Sequence, residues 1–496
     1  MFPDESNLEM DFTLESERSG IVNEPIFQLL VLGDWSCDGS KKQLSDRRPI
    51  EIDRDNFDDV LNSLGVRLDI DIGGTPASLE FNELDDFHPD QLYKSVPIFS
   101  ELRDLRRRLR NSDTFNSAAR EVKEWMNSPA PEESRTRSRV LEPSAPEAGL
   151  LDAILQQPEG GGSPPRPGTS ADLSRLIGEL VRPHLVTVDE NEQSAMIAAV
   201  DEATSNLMRS ILHERRFQEL EAAWRGLFFL VRRTETSPEL KIFILNFTKA
   251  ELAADLKTDS SASAYYKVIT SGIGGEQWTA AVGDLSFHAD IDDAAALIRL
   301  ASMSSATRVP FISHIRPDIL GISSPWNMSD PADWDVAGSS DGGKLWNAVR
   351  SAPGAEFIGL TIPRFLVRLP YGAATDPLES FSFEEFTGIP GHDEYLWANT
   401  CFVAAQCLAA TYAEFGWSFG QRFIQDVDGL PLYIYKSDGE TIYQSCSEVQ
   451  LSERAAESLA GFGVMPVVSF KGMDRVRLAR FQSISDGQER LKGIWS

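Results

Sequence analysis

The stretch Ile26–Ser36, IFQLLVLGDWS, opens with an apolar run broken only by Gln28 and ends at a Gly-Asp step. A run without polar alternation marks a strand covered on both faces, as in the middle of a mostly parallel sheet. Its surroundings fit that reading. Arg47–Ile52, RRPIEI, is expected as a short strand. DRDNFDDVLNSLG (53–65) then places Phe57, Val60, Leu61 and Leu64 on one helical face and stops at Gly65, a good residue for the left-handed turn that ends a helix. RLDIDI (67–72) and ASLEFNEL (77–84) alternate apolar with polar residues, as half-buried strands do. Pro89 suits the first turn of a helix through residue 109, which Pro97 should bend, and a further amphipathic helix covers Thr114 to Met126.

Beyond Met126 the composition changes. PAPEES, EPSAPEAG and PEGGGSPPRPGTS lie between Asn127 and Ser170, and such sequence buries too little apolar surface to offset chain entropy. Residues 127–170 therefore read as a flexible linker. Within it GLLDAILQQ (149–157) forms a short helical stripe of Leu150, Leu151, Ile154 and Leu155. The rear part, 171–496, opens with helices. In residues 213–233, Phe217, Leu220, Trp224, Leu227 and Val231 recur at spacings of three and four, which makes a core pillar. KIFILNF, WTAAVGDLSF, RVPFISHI and EFIGLTIPRFLVRL read as strands, with helices such as DDAAALIRLASMSSA between them. The expected class is α/β, with mixed α+β character: two modules, each a mixed sheet with packed helices, joined by the linker. An acidic segment, 1–24, precedes the front module at 25–126. In it Leu8, Met10, Phe12 and Leu14 alternate with polar residues as a one-sided strand would.

Composition narrows function. The 496 residues carry 76 Asp plus Glu against 47 Lys plus Arg, a formal charge of −29 that disfavours phosphate backbones and anionic lipid. Neither a nucleic-acid partner nor membrane insertion is expected. The first residues lack the basic and apolar parts of a signal peptide, and Cys37, Cys401, Cys407 and Cys446 show no CxxC spacing, so a cytoplasmic protein with free thiols is expected. Gly338, Gly343 and Lys344 meet part of a phosphate-loop pattern, but Leu345 replaces the required hydroxyl and no buried strand leads in. Asp284, His288, Asp290, Asp292 and Asp293 match neither a calcium loop nor a zinc motif; Asp292 and Asp293 suit the start of the next helix. His213 and Glu214 lack the second histidine of HExxH, and no GxSxG is present. No catalytic residue, cofactor or metal is assigned. A metal-dependent hydrolase using the acidic cluster and His288 is the rival reading from another class.

At motif level the front module resembles the small subunit of the type VI secretion contractile sheath, TssB or VipA. VLGDWS, RRPIEIDRDNFDDVL and LEFNELDDFHPDQL carry that resemblance over about Pro25 to Met126. The rear module resembles the large subunit, TssC or VipB, through LHERRFQELEAAWRGLFFLV, LTIPRFLVRLPYG and DEYLWANTCFVAAQ, over about Leu150 to Ser483. The resemblance implies a fusion of the two sheath subunits and a structural role without catalysis. It also implies as partners other sheath subunits, the inner tube protein, the baseplate and the sheath-disassembly ATPase, which the 149–157 helix would engage. The large-subunit family continues beyond the point matching ARFQSIS, whereas this chain ends in DGQERLKGIWS. A non-polymerising cap or adaptor is therefore the alternative. Arg364 and Arg368, four apart in PRFLVRLPYG, are expected on one strand face, paired with carboxylates within or between subunits. Leu8, Met10, Phe12 and Leu14 are the candidate for a strand donated to a neighbour.

Overall fold

The computed structural model describes residues 24–37, 42–72, 75–127, 192–322, 328–334, 341–418, 422–437 and 439–496. Leu8, Met10, Phe12 and Leu14, and the stripe Leu150, Leu151, Ile154 and Leu155, lie outside the described residues.

The front module supplies β1 (Phe27–Gly33), β2 (Ile50–Ile52), α1 (Phe57–Leu64), the antiparallel pair β3 (Val66–Ile72) and β4 (Thr75–Phe81), then α2 (Pro89–Ser95), α3 (Pro97–Arg110) and α4 (Ser112–Asn127). The rear module begins with α5 (Glu192–Leu212) and α6 (Arg215–Arg233). It continues with β5 (Leu240–Asn246), α7 (Lys249–Asp255), α8 (Ala264–Ser271), β6 (Ala280–Phe287), α9 (Ile291–Thr307), β7 (Phe311–Ile315), α10 (Asp341–Arg350) and β8 (Ile358–Ile362). Next come the short pair β9 (Phe365–Leu366) and β10 (Trp397–Ala398), then α11 (Cys401–Phe415) and β11 (Asp426–Val427). The hairpin β12 (Tyr433–Ser437) and β13 (Glu440–Gln444), α12 (Glu453–Gly461), β14 (Met465–Ser469) and β15 (Val476–Leu478) complete the chain.

Among the described residues nine strands form one sheet in the order β11-β15-β14-β8-β7-β6-β1-β5-β2. Strands β5, β1, β6, β7, β8 and β14 run parallel; β2, β15 and β11 are antiparallel to their neighbours. The expected α/β class holds. The expectation of a separate mixed sheet in each module does not: β1 lies between β5 and β6, and β2 closes the edge beyond β5. The physical reason lies in β1 itself. All seven of its residues are buried, so it needs partners on both edges and cover on both faces, and its own module offers only the three-residue β2 and the antiparallel β3–β4 pair, which is closed on itself. Phe27, Leu29 and Val31 enter one core with α1 to α6 and α11. Leu30 and Leu32 enter the other with α7 to α10 and α12.

Several local expectations stand. Gly65 takes φ 60 in the left-handed region at the end of α1, and Glu214 caps α6 by accepting from the Phe217 N–H. The single helix expected through residue 109, bent at Pro97, is instead two: α2 ends at Ser95, Val96 is extended, and Pro97 starts α3, where its missing N–H costs nothing. EFIGLTIPRFLVRL is not one strand. β8 stops at Ile362, the Ile362–Pro363 peptide is cis, and the two-residue β9 follows. Gly343 and Lys344 lie inside α10 rather than in a phosphate loop. No described helix is long and apolar enough to cross a membrane.

Candidate functional site

The front and rear modules meet along the shared sheet through polar contacts that apolar packing alone would not specify. Trp35, fully buried, follows β1; its Nε1 donates to the Leu245 carbonyl at 3.2 Å and its N–H to Asn246 Oδ1 at 3.1 Å. Trp224 of α6 donates in turn to the Trp35 carbonyl at 3.0 Å, and the two indoles meet edge to face at 5.5 Å. Arg47, 6% exposed, donates to the Asn246 carbonyl and to Glu251, both at 2.8 Å. Further out, Asp90 accepts from the Glu379 and Ser380 N–H groups at 2.9 Å, and Arg106 pairs with Asp201. These contacts tie front residues to partners 95 to 290 positions away.

At the carboxyl ends of β1, β5, β6, β7 and β8 lies a cleft of about 790 Å³. The chain crosses from β1 to β5 over one face through α1 to α6, and from β5 through β8 over the other through α7 to α10. That change of face beside β1 and β6 is where open α/β sheets leave a crevice. Asp34, Lys249, His288, Arg316 and Arg364 follow the strand ends into it, and Arg215 and Arg216 enter from the first turn of α6. Lys249 Nζ donates to Asp293 at 2.6 Å and to the Ser286 carbonyl at 2.7 Å; Arg215 Nε donates to Glu219 at 2.8 Å. Arg316 makes no side-chain hydrogen bond or ion pair among the described residues. Burial, reinforced by the Arg364 charge, holds its guanidinium below the usual arginine range.

The acidic cluster singled out in the sequence is dispersed in roles of its own. Asp290 caps α9 by accepting from the Asp293 N–H at 2.8 Å, Asp293 also accepts from the His288 N–H, and His288 Nδ1 sits 3.0 Å from Asp318. Asp284 accepts from Asn399 Nδ2 at 2.6 Å, and burial pushes its carboxyl up to about 6. Among the described residues no three His, Cys, Asp or Glu side chains converge as metal ligands.

Arg364 and Arg368 do not share a strand: β9 covers only Phe365 and Leu366 between them, and each arginine meets its own carboxylates. Arg364 bonds Glu448 through Nη2 at 2.6 Å and Nε at 3.2 Å, and His392 Nε2 lies 2.8 Å from the same carboxylate. Burial alone would raise Glu448, yet His392 and Arg364 hold it well below the usual range. Arg368, 9% exposed, bonds Glu385 twice, at 2.7 and 3.0 Å, and Glu221 at 2.9 Å, with the Tyr371 ring 4.4 Å from its guanidinium carbon. Glu221, Glu385 and Glu448 were not legible as partners, because they lie 147, 17 and 84 positions from the arginines they hold. Arg316 carries one readable signal: it immediately follows the apolar strand FISHI, where a parallel sheet aims residues into its crevice.

Two family models divide the chain where the sequence does. One, described as "Type VI secretion system, VipA, VC_A0107 or Hcp2", matches residues 7–130. The other, described as "EvpB/VC_A0108, tail sheath N-terminal domain" (VipB), matches residues 194–485, more than half the chain. The chain belongs to the type VI secretion tail sheath family. It carries the small-subunit and large-subunit domains in one polypeptide. It is 35% identical over 307 residues to the "Type VI secretion system sheath protein TssC1" of Pseudomonas aeruginosa, a match covering 60% of this chain. The chain spans 62% of the length of that relative. The sheath domains thus account for both halves of the shared sheet: the VipA-like part supplies β1 and β2, and the VipB-like part supplies β5 and every strand from β6 onward in the nine.

Proposed function

We propose that the chain is a non-catalytic structural subunit of a type VI secretion sheath, a pre-joined small-and-large subunit acting as one building block. The observation that supports this most strongly is β1 of the VipA-like domain seated between β5 and β6 of the VipB-like domain. Two sheath-subunit domains that share a sheet move as one body, and covalent linkage fixes their ratio at one to one. Joining the domains in one polypeptide also keeps the local concentration of each at about the millimolar level during folding. In this reading copies of the chain assemble in the cytoplasm around an inner tube on a baseplate. Contraction is then a rigid-body rearrangement between subunits, which have two packings. The N-terminal stretch with Leu8, Met10, Phe12 and Leu14 contributes to the contact between copies. The stripe Leu150, Leu151, Ile154 and Leu155 offers an apolar helix face to the disassembly ATPase. Arg364 and Arg368 serve inside the subunit, where each holds a loop through carboxylates of the same chain.

Electron microscopy of the purified full chain tests the reading. Helical tubes are the expected result. Monodisperse particles at every concentration and salt tried would overturn polymerisation and favour a cap or adaptor.

A further inference from the structure

Between β9 and β10 the chain runs from Val367 to Leu396 with no strand or α-helix, only a short 3-10 turn at His392–Glu394. A connection of that length inside a packed domain is uncommon unless it has a task of its own. Its first half closes on itself. The Tyr371 N–H donates to Glu385 Oε2 and the Glu385 N–H to the Tyr371 carbonyl, both at 2.8 Å. Residues 372–384 therefore leave and return at one point, the geometry of an Ω-loop. The neck of this loop belongs to the rear module, where Arg368 holds Glu385 together with Glu221 of α6.

The tip is shaped by the other module. Among the described residues, 377–384 make no backbone–backbone hydrogen bond. The N–H groups of Glu379 and Ser380 go instead to the buried carboxylate of Asp90 in α2, at 2.9 Å each. The Phe381 ring lies 4.5 Å from that of Tyr93 in the same helix, and His88, the cap of α2, meets Tyr371 edge to face at 4.9 Å. Apolar burial adds little, since Asp376, Pro377, Glu379, Ser380 and Ser382 are exposed and Phe383 is the one buried side chain of the loop. A tip with exposed residues and no backbone bonds of its own has little local stability. Bonds from backbone N–H groups to a carboxylate are the strong, charge-assisted kind, so Asp90 sets the tip's conformation. Helices α2 to α4 supply no strand to the shared sheet, and the loop ties their layer to the rear module in a way the sheet does not.

We propose that residues 372–384 are a clasp of the rear module, ordered by the docking of α2 and holding the α2–α4 layer of the front module in place. Its use in the assembly rests on the sheath reading: a subunit that passes between two packings has to carry that layer along as part of one body. Hydrogen–deuterium exchange of the full chain, resolved to single amides at the tip, tests the clasp itself. The Glu379 and Ser380 amides are expected to be protected. Asp90→Ala removes their shared acceptor and should speed their exchange by about tenfold or more, with the amides of α2 and α3 opening faster and those of β1 and β5 at native rates. Phe381→Ala loosens the grip from the loop side, without touching α2, and should speed α2 and α3 in the same way. Asp201→Ala breaks the other tie to that layer, the pair with Arg106, and should leave the Glu379 and Ser380 amides at native rates. Unchanged tip exchange in Asp90→Ala overturns the proposal, as does native exchange of α2 and α3 in both clasp variants. An equal rise at the tip in Asp201→Ala, or β1 rising in step with the tip, overturns it too, because either marks general loosening. Tubes formed by a chain whose tip is unprotected would sink this inference and leave the sheath reading standing; a protected tip in a chain that forms no tubes would do the reverse.

Discussion

Replacing Arg368 by Met removes the charge at the centre of the buried network while keeping much of the side-chain volume. In the native chain its guanidinium bonds both oxygens of Glu385 and one of Glu221, two carboxylates 1% and 0% exposed. Glu221 keeps a partner in the variant, since Arg225 Nε also donates to it at 2.6 Å. Glu385 keeps only the Tyr371 N–H at 2.8 Å and His213 at 3.4 Å. Breaking a buried pair by deleting one member costs about 3–5 kcal/mol, and the surviving Arg225 contact places the expected loss near the lower bound, about 3 kcal/mol at pH 7.5. The pH dependence follows from Glu385. Burial alone would raise its carboxyl, but Arg368 and its hydrogen bonds hold it at about 2, below the ordinary 4.5. Its native contribution is therefore complete above the ordinary value and fades only as pH falls toward 2. In the variant burial acts unopposed and the carboxyl rises, so protonation relieves the damage as pH drops. Urea denaturation of both proteins should show a difference smaller at pH 5 than at pH 7.5 by about 1 kcal/mol. Arg368→Met with Glu385→Leu should recover most of the loss. A loss under about 1 kcal/mol, or one that does not change between these pH values, would refute the assignment of Arg368 as the network's required cation.

Three further outcomes are expected. Residues 1–148 and 171–496 produced as separate chains in one cell should co-purify, because Phe27, Leu29, Leu30, Val31 and Leu32 each contribute about 1.5–3 kcal/mol by burial in the shared sheet; halves that elute apart on a sizing column would contradict that. Gly226→Val should destabilise by about 1–3 kcal/mol in thermal denaturation, since a side chain there meets the Phe402 ring, whereas Gly461→Ala, with Gln488 4.0 Å away as its nearest neighbour, should be neutral or slightly stabilising. Leu151→Asp with Ile154→Asp should abolish pull-down of the disassembly ATPase at unchanged melting temperature, and unchanged capture would exclude that stripe as the contact.

The elements were legible where a period or a cap decides them. Val66, Leu68, Ile70 and Ile72 alternate perfectly with exposed neighbours, as their sequence requires, and Asp290 caps α9 where acidic residues cluster. The double-sided burial of β1 was also legible from its apolar run. Its partners were not. Strand pairing between residues such as Leu30 and Phe243 is set by which edges remain open once the whole chain collapses, and no local pattern carries that information. The cleft escaped for the same reason, being assembled from the ends of separate strands, the first half of α6 and residues 393–399, which lie far apart in sequence. For Arg364 and Arg368 the sequence located the cations and foresaw carboxylate partners. The strand ends at Leu366, before Arg368, so the two arginines meet Glu448 and Glu385 with Glu221 separately, an early stop that the strand-like pattern concealed.

The claim that both sheath-subunit domains complete a single sheet is tested most directly by hydrogen–deuterium exchange on the full chain, read peptide by peptide. Amides of β1 are expected to exchange at the slowest rate in the molecule and together with those of β5 and β6, since each opens only when the shared sheet does. Exchange of β1 in step with β3 and β4, faster than and separate from β5 and β6, would contradict it.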